Sequence, residues 1–241
     1  MWHERLRQGA SRRELLKMTA AGVAAMAATP AKMLAQSGAS ELQEFPRPGT
    51  PTEAMQWLLA GNERYLQQKY SECTINVEML RRDSEGEQHP YAAVLCCADS
   101  RMPAELVFDG SLGHLFVVRV AGNIATPDTI ASLEYAVAVL GVKAILVVGH
   151  TNCGAVTAAK HGGNEPGTIA GLYQYIYPAT LGTANPAEAI EKNAKVQAEI
   201  LRGSSPLIAD RVKDGGLLVE SAVYSLHTGK VTMLERLKVA G

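Results

Sequence analysis

Three short, almost unbroken apolar runs constrain this chain most: YAAVLC at 91–96, HLFVVRV at 114–120 and KAILVVG at 143–149. Runs of this kind suit strands buried on both faces, as in a parallel sheet. Between the second and third lies a helical stretch opened by Thr126 and Pro127, continuing through Ser132, Leu133 and Tyr135. A similar cap at Asn185, Pro186, Ala187 and Glu188 predicts a helix reaching about Leu201. Upstream, Thr50, Pro51 and Glu53 form a capping box with proline at the first helical position. Ala54, Leu58, Gly61 and Tyr65 then repeat on one helical face. The chain closes with 217–224, a turn at 227–229, and 231–234, which together read as a hairpin. Strands separated by helices predict an α/β fold, a mostly parallel β-sheet flanked by helices, in a single domain over 52–241.

Composition excludes several classes. With 241 residues, 47% hydrophobic and 20% charged, the chain is neither disordered, collagen-like nor a disulfide framework. Aromatic residues make up 5%, and no basic block interleaves with them, so nucleic-acid binding has little support. No apolar run approaches the ~20 residues of a stable membrane span. The net charge of −1 hides an asymmetry: residues 1–35 hold six Lys/Arg and two acids, leaving 17 basic and 22 acidic residues downstream. The basic head reads SRRELLK at 11–17, then a weakly apolar, Ala-rich stretch at 18–29. That layout is an export signal rather than a surface helix, since the Ala-rich run has no polar face. Paired Arg12 and Arg13 resemble the twin-arginine signal. Residues 1–35 are therefore expected to engage the export machinery, with cleavage between 31 and 39 and a periplasmic or otherwise exported product. A linker with Pro46, Pro48 and Pro51 follows at 36–51.

The chemistry is carried by cysteine and histidine. No C-x-x-C occurs among Cys73, Cys96, Cys97 and Cys153, which argues against a thioredoxin-like redox site. Cys97 closes the first apolar run and His150 the third, and Cys153 follows three residues later. Ligands of open α/β sheets gather beyond the carboxyl ends of strands, where both motifs fall. Two thiolates and an imidazole form a zinc set that leaves one tetrahedral position open, as catalysis requires. Cys96 faces the other way along the strand and reads as a buried hydrophobe. Asp99 and Arg101 share the turn after Cys97.

CADSR at 97–101 with HTNCG at 150–154 resembles the β-class carbonic anhydrases. The similarity runs from about Trp57 to Leu234 and takes in GNERY at 61–65, FVVR at 116–119, Gly122, Asn123 and SLEYA at 132–136. The resemblance implies zinc held by Cys97, His150 and Cys153, an Asp99–Arg101 pair, and reversible hydration of carbon dioxide to bicarbonate. Zinc makes hydroxide available near neutral pH. Asp99 would orient it, and Arg101 would hold that carboxylate ionised and aimed. The family also has a form in which this aspartate ligates zinc. Val94 replaces the tryptophan of the bicarbonate-regulated subgroup, so the open form is expected here at neutral pH. The resemblance further places Gln88, Phe116, Tyr135 and Gly154 at the substrate pocket, partly built across a homodimer or larger assembly. His114 and Val120 depart from the commoner Asp and Asn. Two rival functions share these residues: hydrolysis of carbonyl sulfide or carbon disulfide, and a catalytically silent zinc-binding assembly protein. Intact Asp99 and Arg101 count against the silent one.

Overall fold

Proline lacks an N–H and has a fixed φ, which suits it to a first helical turn. Helix α1 (Pro51–Gln67) begins on this basis, capped by Thr50. The Thr50 Oγ1 accepts from the Glu53 N–H at 3.2 Å, and the Glu53 carboxylate accepts from the Thr50 N–H at 3.1 Å. Ala54, Met55, Leu58, Gly61 and Asn62 form its buried face, and Tyr65 packs half-buried at its edge. A Cβ on Gly61 would overlap the Phe108 carbonyl, so only glycine lets α1 lie this close to the neighbouring backbone. The computed structural model describes residues 47–71, 81 and 84–237. The expected signal at 1–35, linker residues 36–46 and Cys73 lie outside the described residues.

The other elements are β1 (Ala92–Cys96), α2 (Ala104–Val107), β2 (Leu115–Arg119), α3 (Pro127–Ala138) and β3 (Ala144–His150). Then come α4 (Gly154–Lys160), α5 (Ala170–Thr180), α6 (Pro186–Ser204), α7 (Pro206–Lys213), β4 (Leu218–Tyr224) and β5 (Val231–Met233). The sheet runs β2-β1-β3-β4-β5, parallel except for the β4–β5 hairpin. Successive side chains point to opposite faces. Val94, Cys96, Leu146 and Val148 pack toward α1 and α2. Leu95, Ile145 and Val147 pack against Leu133, Leu201 and Ile208 from α3, α6 and α7. All residues of β1 and β3 are buried. Each fully buried leucine, such as Leu95 or Leu146, contributes about 1.5–3 kcal/mol. Among the described residues, no helix is long and apolar enough to cross a membrane.

The run at 114–120 departs from expectation. Strand β2 is an edge, bonded only to β1, with half-buried residues and an exposed Arg119. Lateral position in a sheet is set by pairing partners, which hydrophobicity alone does not specify. Four helices also fall where no helix was expected. Helices α4 and α5 start at Cys153 and Ile169 with no side-chain cap bond, and α5 contains Pro178. Helix α2 is a single turn. Only α7 had a start signal, Ser205 before Pro206, and the Ser205 Oγ accepts from the Ile208 N–H at 3.1 Å.

The topology positions the site. Strands β1 and β3 are neighbours, but the chain leaves β1 toward β2 on one side and β3 toward β4 on the other. Diverging connections open a crevice at the carboxyl ends of these two strands. Cys96 pairs with Val148, so Cys97 emerges beside Gly149, one residue before His150.

Candidate metal centre

Cys97 is the first residue past β1, His150 the last of β3, and Cys153 the cap of α4. All three are buried, and their ligand atoms lie within 4.8 Å of one another. A tetrahedral zinc with its usual bond lengths sets such donors roughly 3.5–3.8 Å apart, which this cluster admits.

His150 supplies the test of fit. Its Nδ1 lies 3.0 Å from the Thr151 carbonyl oxygen and donates to it, which leaves the Nε2 lone pair free. That Nε2 is buried and has no hydrogen-bond partner among the described residues. A buried polar atom left so costs about 1–3 kcal/mol, and an ion among the thiolates removes that cost. An imidazole oriented through its other nitrogen is how metal-bound histidines are held. The donor set therefore fits zinc. The Cys97 thiol is pulled well below the ordinary thiol range, first by the hydrogen bond from Cys153 and further by the Gly122 N–H. Cys153 moves the opposite way, because its neighbour ionises first and burial opposes a second charge. Cys96 faces the α1 side, where burial pushes its thiol up to about 12. It is structural, as expected.

Asp99 is aimed by Arg101 through three bonds. The Arg101 backbone N–H and Nε each donate to Oδ1 at 2.9 Å, and Nη2 donates to Oδ2 at 2.8 Å. These hydrogen bonds hold the carboxyl well below the usual carboxylate range. Asp99 Oδ2 stands 3.8 Å from His150 Nε2. Both Asp99 oxygens accept from Arg101, and Asp99 lies beside the group of Cys97, His150 and Cys153 rather than within it.

The sequence reading missed Arg119. Its Nε donates to the Cys97 carbonyl at 3.2 Å and its Nη2 to the Asp99 carbonyl at 2.6 Å, clamping the turn that carries both residues. The available signal was a single charge ending an apolar run. Gly154, the first residue of α4, is exposed with open space over its α-carbon. Gln88 is exposed ahead of β1 and makes no hydrogen bond to Cys97, Asp99, Arg101, His150 or Cys153. Phe116 packs on the α3 side of the sheet against Tyr135, ring centroids 6.4 Å apart, and Tyr135 is 48% exposed. One protomer thus does not bring Gln88, Phe116 and Tyr135 into the buried cluster of Cys97, Cys153 and Ile124. Val94 is buried in β1, and the backbone N–H of Ser111 donates to His114 Nδ1 at 3.3 Å.

The chain is similar to known proteins along most of its length. A family model described as carbonic anhydrase matches residues 92–231. Carbonic anhydrase 2 of Mycobacterium tuberculosis is 34% identical over 197 residues, covering 78% of this chain and 94% of that protein. The β-carbonic anhydrase of Coccomyxa, solved in complex with acetazolamide, superposes with a TM-score of 0.59 at 27% identity, over 73% of this chain and 84% of that one. A β-carbonic anhydrase of Aspergillus fumigatus shares the fold with a TM-score of 0.62 at 24% identity, over 77% of this chain and 92% of that one. This chain belongs to the carbonic anhydrase family, in its β class, and hydrates carbon dioxide at a Cys-His-Cys zinc site.

Proposed function

We propose that Asp99, held by Arg101, is the orienting group of carbon dioxide hydration in this enzyme, and that Cys97, His150 and Cys153 hold its zinc. When bound, zinc supplies Lewis acidity that makes hydroxide available near neutral pH. Asp99 accepts a hydrogen bond from the attacking oxygen and turns that oxygen's lone pair toward the substrate carbon. The new C–O bond yields bicarbonate, and the proton lost from water leaves to solvent or buffer. Asp99 does not keep that proton, because Arg101 holds its carboxyl far below neutrality. The family resemblance assigns Gly154 to the substrate pocket, and the open space over its α-carbon at the start of α4 leaves room there. One observation carries the reading: a carboxylate fixed by three bonds, with Oδ2 3.8 Å from the unpartnered Nε2 of His150. The test is Asp99→Ala, which should keep one zinc per chain while hydration falls about 10–100-fold. Wild-type turnover at full zinc would overturn it.

The working form is a homodimer or larger, with Gln88, Phe116 and Tyr135 completing the pocket across the boundary. Support comes from the exposure of Gln88 and Tyr135 in the isolated protomer and from the half-buried edge strand β2, which carries Phe116. Residues 1–35 act as a twin-arginine signal, giving a periplasmic or otherwise exported enzyme. Free thiols tend to oxidise outside the cytoplasm. A route for folded proteins lets zinc occupy Cys97 and Cys153 first.

A further inference from the structure

The two cysteine sulfurs sit in different backbone settings. Cys153 caps α4 without a side-chain hydrogen bond to the helix's first turn. Cys97 Sγ accepts from the Gly122 N–H at 3.3 Å, a donor 25 residues away in the loop between β2 and α3. Gly122 has a φ of +78°, and a Cβ there would stand 2.5 Å from Ile176 Cδ1 of α5. The donor is therefore a glycine by necessity, and its position depends on whatever fixes the loop.

Helix α6 fixes it. Asn193 and Gln197 lie one turn apart on α6 and are both 0% exposed. Asn193 Nδ2 donates to the Gly122 carbonyl at 2.9 Å. Gln197 Oε1 accepts from the Ala125 N–H at 2.9 Å, so residues 122–125 are braced at both ends. Gln197 Nε2 donates to Asn193 Oδ1 at 3.0 Å and to the Tyr175 carbonyl of α5 at 2.9 Å. Buried amides are unfavourable unless fully partnered, and here the partners are concentrated on one loop. Neither residue touches a metal donor itself.

We propose that Asn193 and Gln197 are positioning residues for the zinc centre. Through loop 122–125 they hold the Gly122 N–H on Cys97 Sγ and so set how much charge that sulfur gives the metal. Two thiolates are strong donors, and an N–H directed at one draws density away, leaving zinc the better Lewis acid. The proposal rests on Cys97 being a zinc ligand.

The first test needs no variant. In the wild-type enzyme loaded with cadmium-113, the Gly122 amide proton should show scalar coupling to the metal through Cys97 Sγ. The second compares cobalt-loaded variants. Asn193→Asp keeps the acceptor for Gln197 and loses the donor to Gly122, and Gln197→Glu keeps the acceptor for Ala125 and loses both donors. Each should move the sulfur-to-cobalt charge-transfer band to lower energy and weaken zinc binding about tenfold or more. Each should also raise the pH midpoint of hydration. Leu201→Ala, on the same helix but in the opposite cluster, should lower Tm and leave the band in place. Absent coupling in a protein holding one cadmium per chain would overturn the proposal. So would variants that lower Tm as Leu201→Ala does, with band and midpoint unmoved. A wild-type enzyme that takes up cobalt without any sulfur band would instead overturn the ligand set.

Discussion

Replacing Arg101 separates the orienting role of Asp99 from any contribution to folding. Arg101 is 55% exposed at its side chain, so solvent screening leaves its ion pair with Asp99 little part in stability. Arg101→Gln removes the 2.9 Å and 2.8 Å side-chain bonds and leaves Asp99 only the backbone N–H of residue 101. The carboxylate is then free to rotate away from His150. Loss of such a supporting partner typically costs about 10–100-fold in activity, roughly 1.4–2.7 kcal/mol of barrier. Arg101→Gln should therefore lower kcat/KM by that factor while Tm moves little and zinc stays at one per chain. The pH dependence adds a second constraint. Without the guanidinium the Asp99 carboxyl rises toward its ordinary value of about 3.9 and stays ionised at neutrality. The loss is one of aim rather than of protonation, so raising the pH from 7 to 9 should not restore it. Stopped-flow hydration across that range, with zinc content and thermal melts on the same samples, makes the measurement. Wild-type kcat/KM at full zinc, or complete rescue by alkali, would refute the reasoning.

Cys97→Ser and Cys153→Ser should each lose stoichiometric zinc by elemental analysis, since each removes one of three buried donors. Activity per chain should fall on dilution as the enzyme dissociates, checked by sedimentation beside hydration rates, and a fully active monomer would contradict a shared pocket. Arg12→Lys with Arg13→Lys should retain the enzyme in the cytoplasm on cell fractionation, and unchanged export would remove the twin-arginine reading.

What the sequence made legible follows from where each residue's partners lie. Strands β1 and β3 stood out because both faces are covered and both are apolar up to the histidine that ends β3. Helices α1, α3 and α6 announced themselves by a capping oxygen followed by proline. Helices α4 and α5 carry no such oxygen, and Pro178 in α5 reads as a breaker. The edge position of β2 depends on its pairing with β1 alone, which its composition does not encode. Cys97, His150 and Cys153 were visible because strand ends and unusual residue types mark them. Arg119, Asn193 and Gln197 were not, because each acts through backbone atoms 20 to 72 residues away. On α6 a buried amide pair one turn apart looks no different from any other polar break in an apolar face.

Zinc-dependent hydration itself gives the most direct test. The enzyme is stripped with a chelator, reloaded with measured zinc, and followed by stopped-flow carbon dioxide hydration at each step. Activity should vanish on stripping and return in proportion to zinc, reaching its plateau at one ion per chain. Hydration that persists without zinc, or zinc restored to one per chain with no hydration, would contradict the account.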